Sequence, residues 1–315
     1  MAPRLLPLSE RRRRALTRLA AAGLGALAAT GLLALIWPRA DRSAAPEALS
    51  TLADLAKAPT RPVTVLLIGS DAERPGDPGN GAAPAGPANS DALLLLRVQP
   101  SGPLQVLQIP IEAAVQLPGQ QRPQALGSLY RQGGVALVAD AVRDLLRLPP
   151  GQPDRYVVVG RGTLRQLIDG LDALEVSPPR AMHYNDRHQN LVIALQAGLQ
   201  RLDGRQVEHL VRYRDPLDGE SGRRQQQQLV LRSLARELGL SERLPLLAPL
   251  TRQVLASSDT NLSEGELLSL LVAGLAQRDA ISFSELPLLP AGPGHGGLRQ
   301  LAAEAALPPS WLNVP

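Results

Sequence analysis

Residues 63–68 (VTVLLI) form an unbroken apolar run that stops at Gly69, Ser70 and Asp71. A run this short, closed by turn-forming residues, predicts a buried β-strand. Residues 73–88 are rich in Gly, Pro and Ala and predict a long loop. Two more strands are predicted over 93–98 and 104–109, joined as a hairpin through Pro100, Ser101, Gly102 and Pro103. Helical spacing follows over 135–146, then a strand at 156–159, a helix at 163–171 and strands at 174–176 and 191–195. A helix is predicted over 206–212 with Asp203 as its N-cap, and a longer one over 225–238, stopped by Gly239. Strands and helices alternate, which predicts an α/β fold with a mixed central sheet. From residue 241 the chain is Leu-rich and reads as a helical C-terminal extension and tail, with a cap signal at Ser263 to Glu266.

The N-terminus predicts an address. Arg11 to Arg14 and Arg18 precede residues 19–37, a run of 19 residues without a charge. That is close to the roughly 20 residues needed to span a bilayer, and the flanking arginines predict a cytoplasmic N-terminus. The expected order is a basic cytoplasmic segment (1–18), a transmembrane signal anchor (19–37), a linker (38–60), a globular domain on the extracytoplasmic side of the cytoplasmic membrane (61–240) and the extension (241–315). The 315 residues are 44% hydrophobic, enough to bury a core. There is no cysteine, which excludes disulfides, thiol catalysis and cysteine metal sites. A net charge of +4 and 2% aromatic residues argue against a nucleic-acid partner.

Two groups of residues could carry chemistry. Asp71 follows the first predicted strand and Asp91 precedes the second, beside the long loop. Strand ends are where ligand sites gather in α/β sheets, and carboxylates there suit Mg²⁺ or a simple turn. The second group is the stretch 201–228, RLDGRQVEHLVRYRDPLDGESGRRQQQQ. Its arginines suit either a solvated surface or an anion site. Arg223 and Gln227 begin the inward face of the predicted helix 225–238. Arginine at a helix start is disfavoured by the macrodipole unless an anion binds there or the side chain snorkels from the core edge. Arg212 and Arg214 share a face only if the chain between them is extended.

The order of these segments resembles the LytR-CpsA-Psr family of membrane-anchored phosphotransferases. The matching pieces are VTVLLIGSD (63–71), NSDALLLLRV (89–98), LQVLQIP (104–110), LGSLYRQGG (126–134), YVVVGRGTLRQLIDGLDALEV (156–176), MHYND (182–186), LQRLDGRQVEHLVRYRD (199–215) and ESGRRQQQQ (220–228). The resemblance implies an α/β/α sandwich that moves a glycan phosphate from a polyprenyl-pyrophosphate carrier to a peptidoglycan sugar during cell-envelope assembly. By motif position it implies Asp71, Asp91 and Arg214 as catalytic residues. Arg212, Arg214, Arg223 and Gln227 would bind substrate, and Asp71 and Asp91 would hold Mg²⁺. The chain also departs from the family pattern. Asn89, Ile111 and Ala125 stand where cations are usual, and Gly127 where an Asn is usual. Either Arg122, Arg131 or Arg224 substitutes for the lost cations, or the protein is a reduced paralogue that binds polyprenyl-linked glycan without turnover.

Overall fold

The computed structural model describes residues 51–80, 86–187, 191–290 and 297–302. The predicted anchor at 19–37 lies outside them. Among the described residues no helix is long and apolar enough to cross a membrane.

The strands in chain order are β1 Val63–Ser70, β2 Ser90–Val98, β3 Gln105–Gln108, β4 Ala114–Val115, β5 Gln124–Ala125, β6 Arg155–Val159, β7 Leu174–Val176, β8 Met182–Asp186, β9 Leu191–Leu195, β10 Gln200–Leu202, β11 Asp259–Thr260 and β12 Ser282–Glu285. The helices are α1 Leu129–Leu146, α2 Arg161–Asp169, α3 Gly204–Arg212, α4 Gly219–Leu238, α5 Leu244–Ser257 and α6 Glu264–Ala276. Six strands form one sheet in the order β11-β6-β1-β2-β3-β12. β1 pairs antiparallel with β2 and parallel with β6, so the sheet is mixed, as expected.

Alternation along the central strands gives each sheet face its own core. Leu66, Ile68, Leu93, Leu95 and Leu107 pack with Val138 and Val142 of α1. On the other face Leu94 and Val106 meet Leu238 of α4 and Leu247 of α5, while Val65 and Val157 meet Leu270 of α6. The result is helix, sheet and helix in three layers. Burying each such side chain contributes about 1.5–3 kcal/mol.

Residues 241–287, predicted as a helical extension, do contain α5 and α6, but they also supply both outer strands of the sheet, β11 and β12. They complete the same core rather than follow it. α4 likewise begins at Gly219, not Gln225. Its first turns are charged and glycine-containing, so they lack the apolar spacing that marks the later turns.

Candidate functional site

The site forms at the C-terminal end of β1, where the chain leaves the sheet. The β1–β2 register pairs Gly69 with Ala92 but Ser70 with Ser90. Asp91 is therefore the extra residue of a β-bulge. Bulges re-aim side chains and are frequent beside active sites. This one sets Asp91 close enough to Asp71 for their charges to interact.

Asp71 is only 6% exposed. Its Oδ1 accepts from the Asn89 backbone N–H at 2.8 Å, and its own N–H donates to the Asn89 carbonyl at 3.2 Å. Burial pushes its carboxyl above the ordinary range and the Asp91 charge pushes it further. Hydrogen bonds from Asn89 and Asn80 offset this only in part, and among the described residues no cation is a leading influence on it. Asn89, which stands at an expected arginine position, thus fastens the Asp71 backbone instead of supplying charge.

Asp91 belongs to a ring of four charged groups. Arg223 Nη1 lies 3.2 Å from Asp91 Oδ1, and its Nη2 lies 2.7 Å from Glu220 Oε2. Arg214 Nε lies 2.9 Å from Glu220 Oε1, and its Nη2 lies 3.9 Å from Asp91. The Arg223 side chain is 3% exposed, whereas that of Arg214 is about half exposed. With α4 starting at Gly219, Arg223 sits in the second turn and Glu220 in the first. The macrodipole at this end is met by the Glu220 carboxylate. Gln227 lines the same cleft, where its Oε1 accepts from Gln108 Nε2 at 3.1 Å.

Arg212 is not in this ring. α3 ends at Arg212, and Tyr213 adopts an extended conformation. Although that extension meets the condition for a shared face, the two arginines take different partners: Arg214 reaches the ring, and Arg212 Nη1 donates to Glu208 Oε1 at 2.9 Å. Glu208 also pairs with Arg165, and with Arg161 at 3.2 Å. Glu73 bridges Arg165 and, at 3.7 Å, Arg161. Burial pushes the Glu208 carboxyl up, but the hydrogen bond and charge of Arg165 and the charges of Arg161 and Arg212 outweigh it and hold it below the ordinary range.

Arg161 joins the two places. Its Nε donates to the Asp71 carbonyl at 2.8 Å, and its backbone N–H donates to the Ala72 carbonyl at 2.9 Å. The start of α2 is thereby docked on the chain leaving β1. A Cβ at Gly160 would lie 2.7 Å from the Glu73 carbonyl, so glycine is required for that approach.

The positions that lack their usual cations lie along the cleft and beside it. Ile111 lines it. The Gly127 N–H donates to the Ile111 carbonyl, and Ser90 Oγ donates to the Gly127 carbonyl. A Cβ at 127 would meet Ile111 Cβ and the Ser90 carbonyl at 2.9 Å, so an asparagine cannot be accommodated there unchanged. Ala125 pairs with Ala114 in the β4–β5 ladder. Of the three candidate substitutes, Arg224 reaches the cleft but is held by Glu112 at 2.8 Å and Glu285 at 2.7 Å. Arg131 donates to the Pro87 carbonyl, and Arg122 is exposed. What remains open between these groups is about 10 Å³, barely room for one water molecule.

Sequence reasoning missed Glu220, Glu208 and Arg161. Two signals were present: Glu220 stands three residues before Arg223, and Glu208 four before Arg212, both helical pairing distances.

The LytR_cpsA_psr family model matches residues 40–297. A polyisoprenyl-teichoic acid–peptidoglycan teichoic acid transferase, TagU of Enterococcus faecalis, is 27% identical over 180 residues, covering 56% of this chain and 54% of the relative. A probable cell wall biosynthesis protein, LcpB of Corynebacterium glutamicum, is 29% identical over 167 residues, covering 50% of this chain and 37% of the relative. The chain thus spans about half the length of one curated relative and less of the other. The crystal structure of B. subtilis TagV superposes with a TM-score of 0.63 at 20% identity, covering 78% of this chain and 92% of that one, a likeness of fold. With the family model spanning all six strands of the sheet and the residues of the cleft, the chain belongs to the LytR-CpsA-Psr family.

Proposed function

We propose that this protein is a cell-envelope glycopolymer transferase. It moves a glycan phosphate from a polyprenyl-pyrophosphate carrier to a peptidoglycan sugar hydroxyl. The observation that carries the reading is the bulged Asp91, which lies against Arg214 and Arg223 and close to the buried Asp71. The names of the two relatives support the same class of work.

The roles follow from the chemistry of each group. Arg223 and Arg214 would take the pyrophosphate oxygens, since planar guanidinium forks suit them. Asp71, with its raised proton affinity, would receive the proton of the acceptor hydroxyl. The acceptor oxygen forms its bond to the glycan-bearing phosphorus as the bond to the bridging oxygen breaks, and polyprenyl phosphate leaves. Catalysis of this kind rests mainly on positioning and charge stabilisation.

Asp71 and Asp91 are also the residues that would hold Mg²⁺. Their mutual repulsion and hard oxygen donors fit it. Among the described residues no group of three or more His, Cys, Asp or Glu is placed to hold a metal ion, so substrate phosphates and water would complete the set. When bound, the ion supplies charge neutralisation to the phosphate oxygens.

Residues 19–37 would anchor the protein in the cytoplasmic membrane with its globular part outside. A reporter fused to the C-terminus that is active only in the cytoplasm would overturn that topology.

The second reading, ligand binding without turnover, is favoured by Ile111 and by the carboxylates that already hold each cleft arginine. Purified protein given a polyprenyl-pyrophosphate glycan, peptidoglycan and Mg²⁺ decides. Transfer that Arg223→Ala stops supports the enzyme. No transfer alongside a co-purifying polyprenyl phosphate supports the second reading, and the absence of both transfer and bound lipid overturns both.

A further inference from the structure

We infer that Glu220 is the built-in occupant of the anion site, and that a diphosphate group enters by replacing its carboxylate. The inference rests on the proposed pyrophosphate reading of the cleft and goes beyond it. The two Glu220 oxygens are divided between two guanidinium groups on different segments, Oε1 with Arg214 Nε at 2.9 Å and Oε2 with Arg223 Nη2 at 2.7 Å. That is how a phosphate would bridge them. The cleft that Glu220 and Arg223 line holds about 10 Å³, so a diphosphate cannot lie beside the carboxylate within it.

Of the two carboxylates on these arginines, only Glu220 is free to leave. Asp91 is short and lies within β2, between the ladder partners Ser90 and Ala92. Glu220 is a longer side chain on the second residue of α4. The residue before it, Gly219, has φ of 53° in the left-handed region, and the Asp218 N-cap makes no side-chain cap bond. Three side-chain torsions and an uncapped first turn let the carboxylate swing towards solvent without disturbing the sheet.

The exchange also sets specificity. With Glu220 in place, Arg214 and Arg223 are balanced by Glu220 and Asp91. A monoanionic phosphodiester would replace one charge by one charge and gain little. A diphosphate carries at least two, so it displaces the carboxylate with a net electrostatic gain. Glu220 therefore makes the cleft selective for diphosphates over singly charged phosphates.

The test is calorimetric titration of the wild type, Glu220→Gln, Glu220→Ala and Arg223→Ala. The probes are farnesyl diphosphate, inorganic pyrophosphate and dimethyl phosphate, with circular dichroism to verify folding. The expected result is about tenfold tighter diphosphate binding in both Glu220 variants, the equivalent of one charge-assisted hydrogen bond no longer competing. Their preference for diphosphate over dimethyl phosphate should fall, and Arg223→Ala should lose binding. Unchanged or weaker binding in both Glu220 variants, with Arg223→Ala still losing it, overturns the Glu220 inference while keeping the anion site. Binding by no form overturns both. Tighter farnesyl diphosphate than pyrophosphate binding identifies a lipid-linked ligand, and equal binding identifies the diphosphate group alone as what this exchange recognises.

Discussion

Glu208 and Asp71 are both buried carboxylates, joined through one arginine, yet their surroundings differ in kind. Glu208 is met by Arg161, Arg165 and Arg212, and its carboxyl is held low. Asp71 receives hydrogen bonds from asparagines, pairs its carboxylate with no arginine among the described residues, faces the charge of Asp91, and its carboxyl is pushed up. Burying a carboxylate costs several kcal/mol wherever it happens. At Glu208 the cost is offset on the spot, which suits a structural anchor between α2 and α3. At Asp71 it is left standing, which suits a group whose partner is a ligand or a proton.

The largest expected effect is on Glu208. Its replacement by Ala leaves three arginines around an empty place and should destabilise the fold by about 3 kcal/mol, near the lower end for broken buried pairs because the arginines are partly exposed. A urea midpoint that barely moves would break the contrast. The pH sign follows from the depressed carboxyl. Its stabilisation is present above the ordinary glutamate range and is lost as pH falls through the lowered folded value. The gap between wild type and Glu208→Gln should therefore close in acid.

Arg161→Ala comes next. It removes one bond to Glu208 and one to the Asp71 carbonyl, for a loss of about 2 kcal/mol. Arg161→Lys should recover only part of it, because one ammonium cannot reproduce a fork that serves both. Full recovery with lysine would mean that the two places are not coupled through Arg161.

The smallest stability effect has the opposite sign. A carboxyl raised above its unfolded value contributes stability below the ordinary aspartate range and loses it as pH rises through the folded value. Asp71→Asn should thus melt higher than the wild type at neutral pH in EDTA, and the difference should vanish in acid. A lower melting point at neutral pH would place Asp71 with Glu208 as a structural residue.

Much of this architecture is legible in the sequence. The hairpin of β2 and β3, the strands at 174–176 and 191–195, and the Asp203 cap of α3 follow from periodicity and turn chemistry, since each is decided by residues close in the chain. The places of Asp71 just after β1 and Asp91 at the start of β2 follow from the same local logic. The bulge that aims Asp91 is not legible, because register belongs to two strands at once. Nor is the start of α4, where Arg223 and Arg224 are buried by ion pairs to distant residues rather than by apolar spacing. β11 has two residues and β12 reads SFSE, too short and polar to stand out. Nor is it legible that Arg212 turns back to Glu208 on its own helix while Arg214 pairs with Glu220, because those partners are chosen by packing.

The most direct test of the central claim is transfer of a labelled glycan phosphate from a polyprenyl-pyrophosphate donor to peptidoglycan by wild type and Asp71→Asn under matched Mg²⁺. The variant should remain folded and bind farnesyl diphosphate, yet transfer on the order of 10² times more slowly or worse, the usual contribution of a positioned general base. Transfer by Asp71→Asn at the wild-type rate would contradict it.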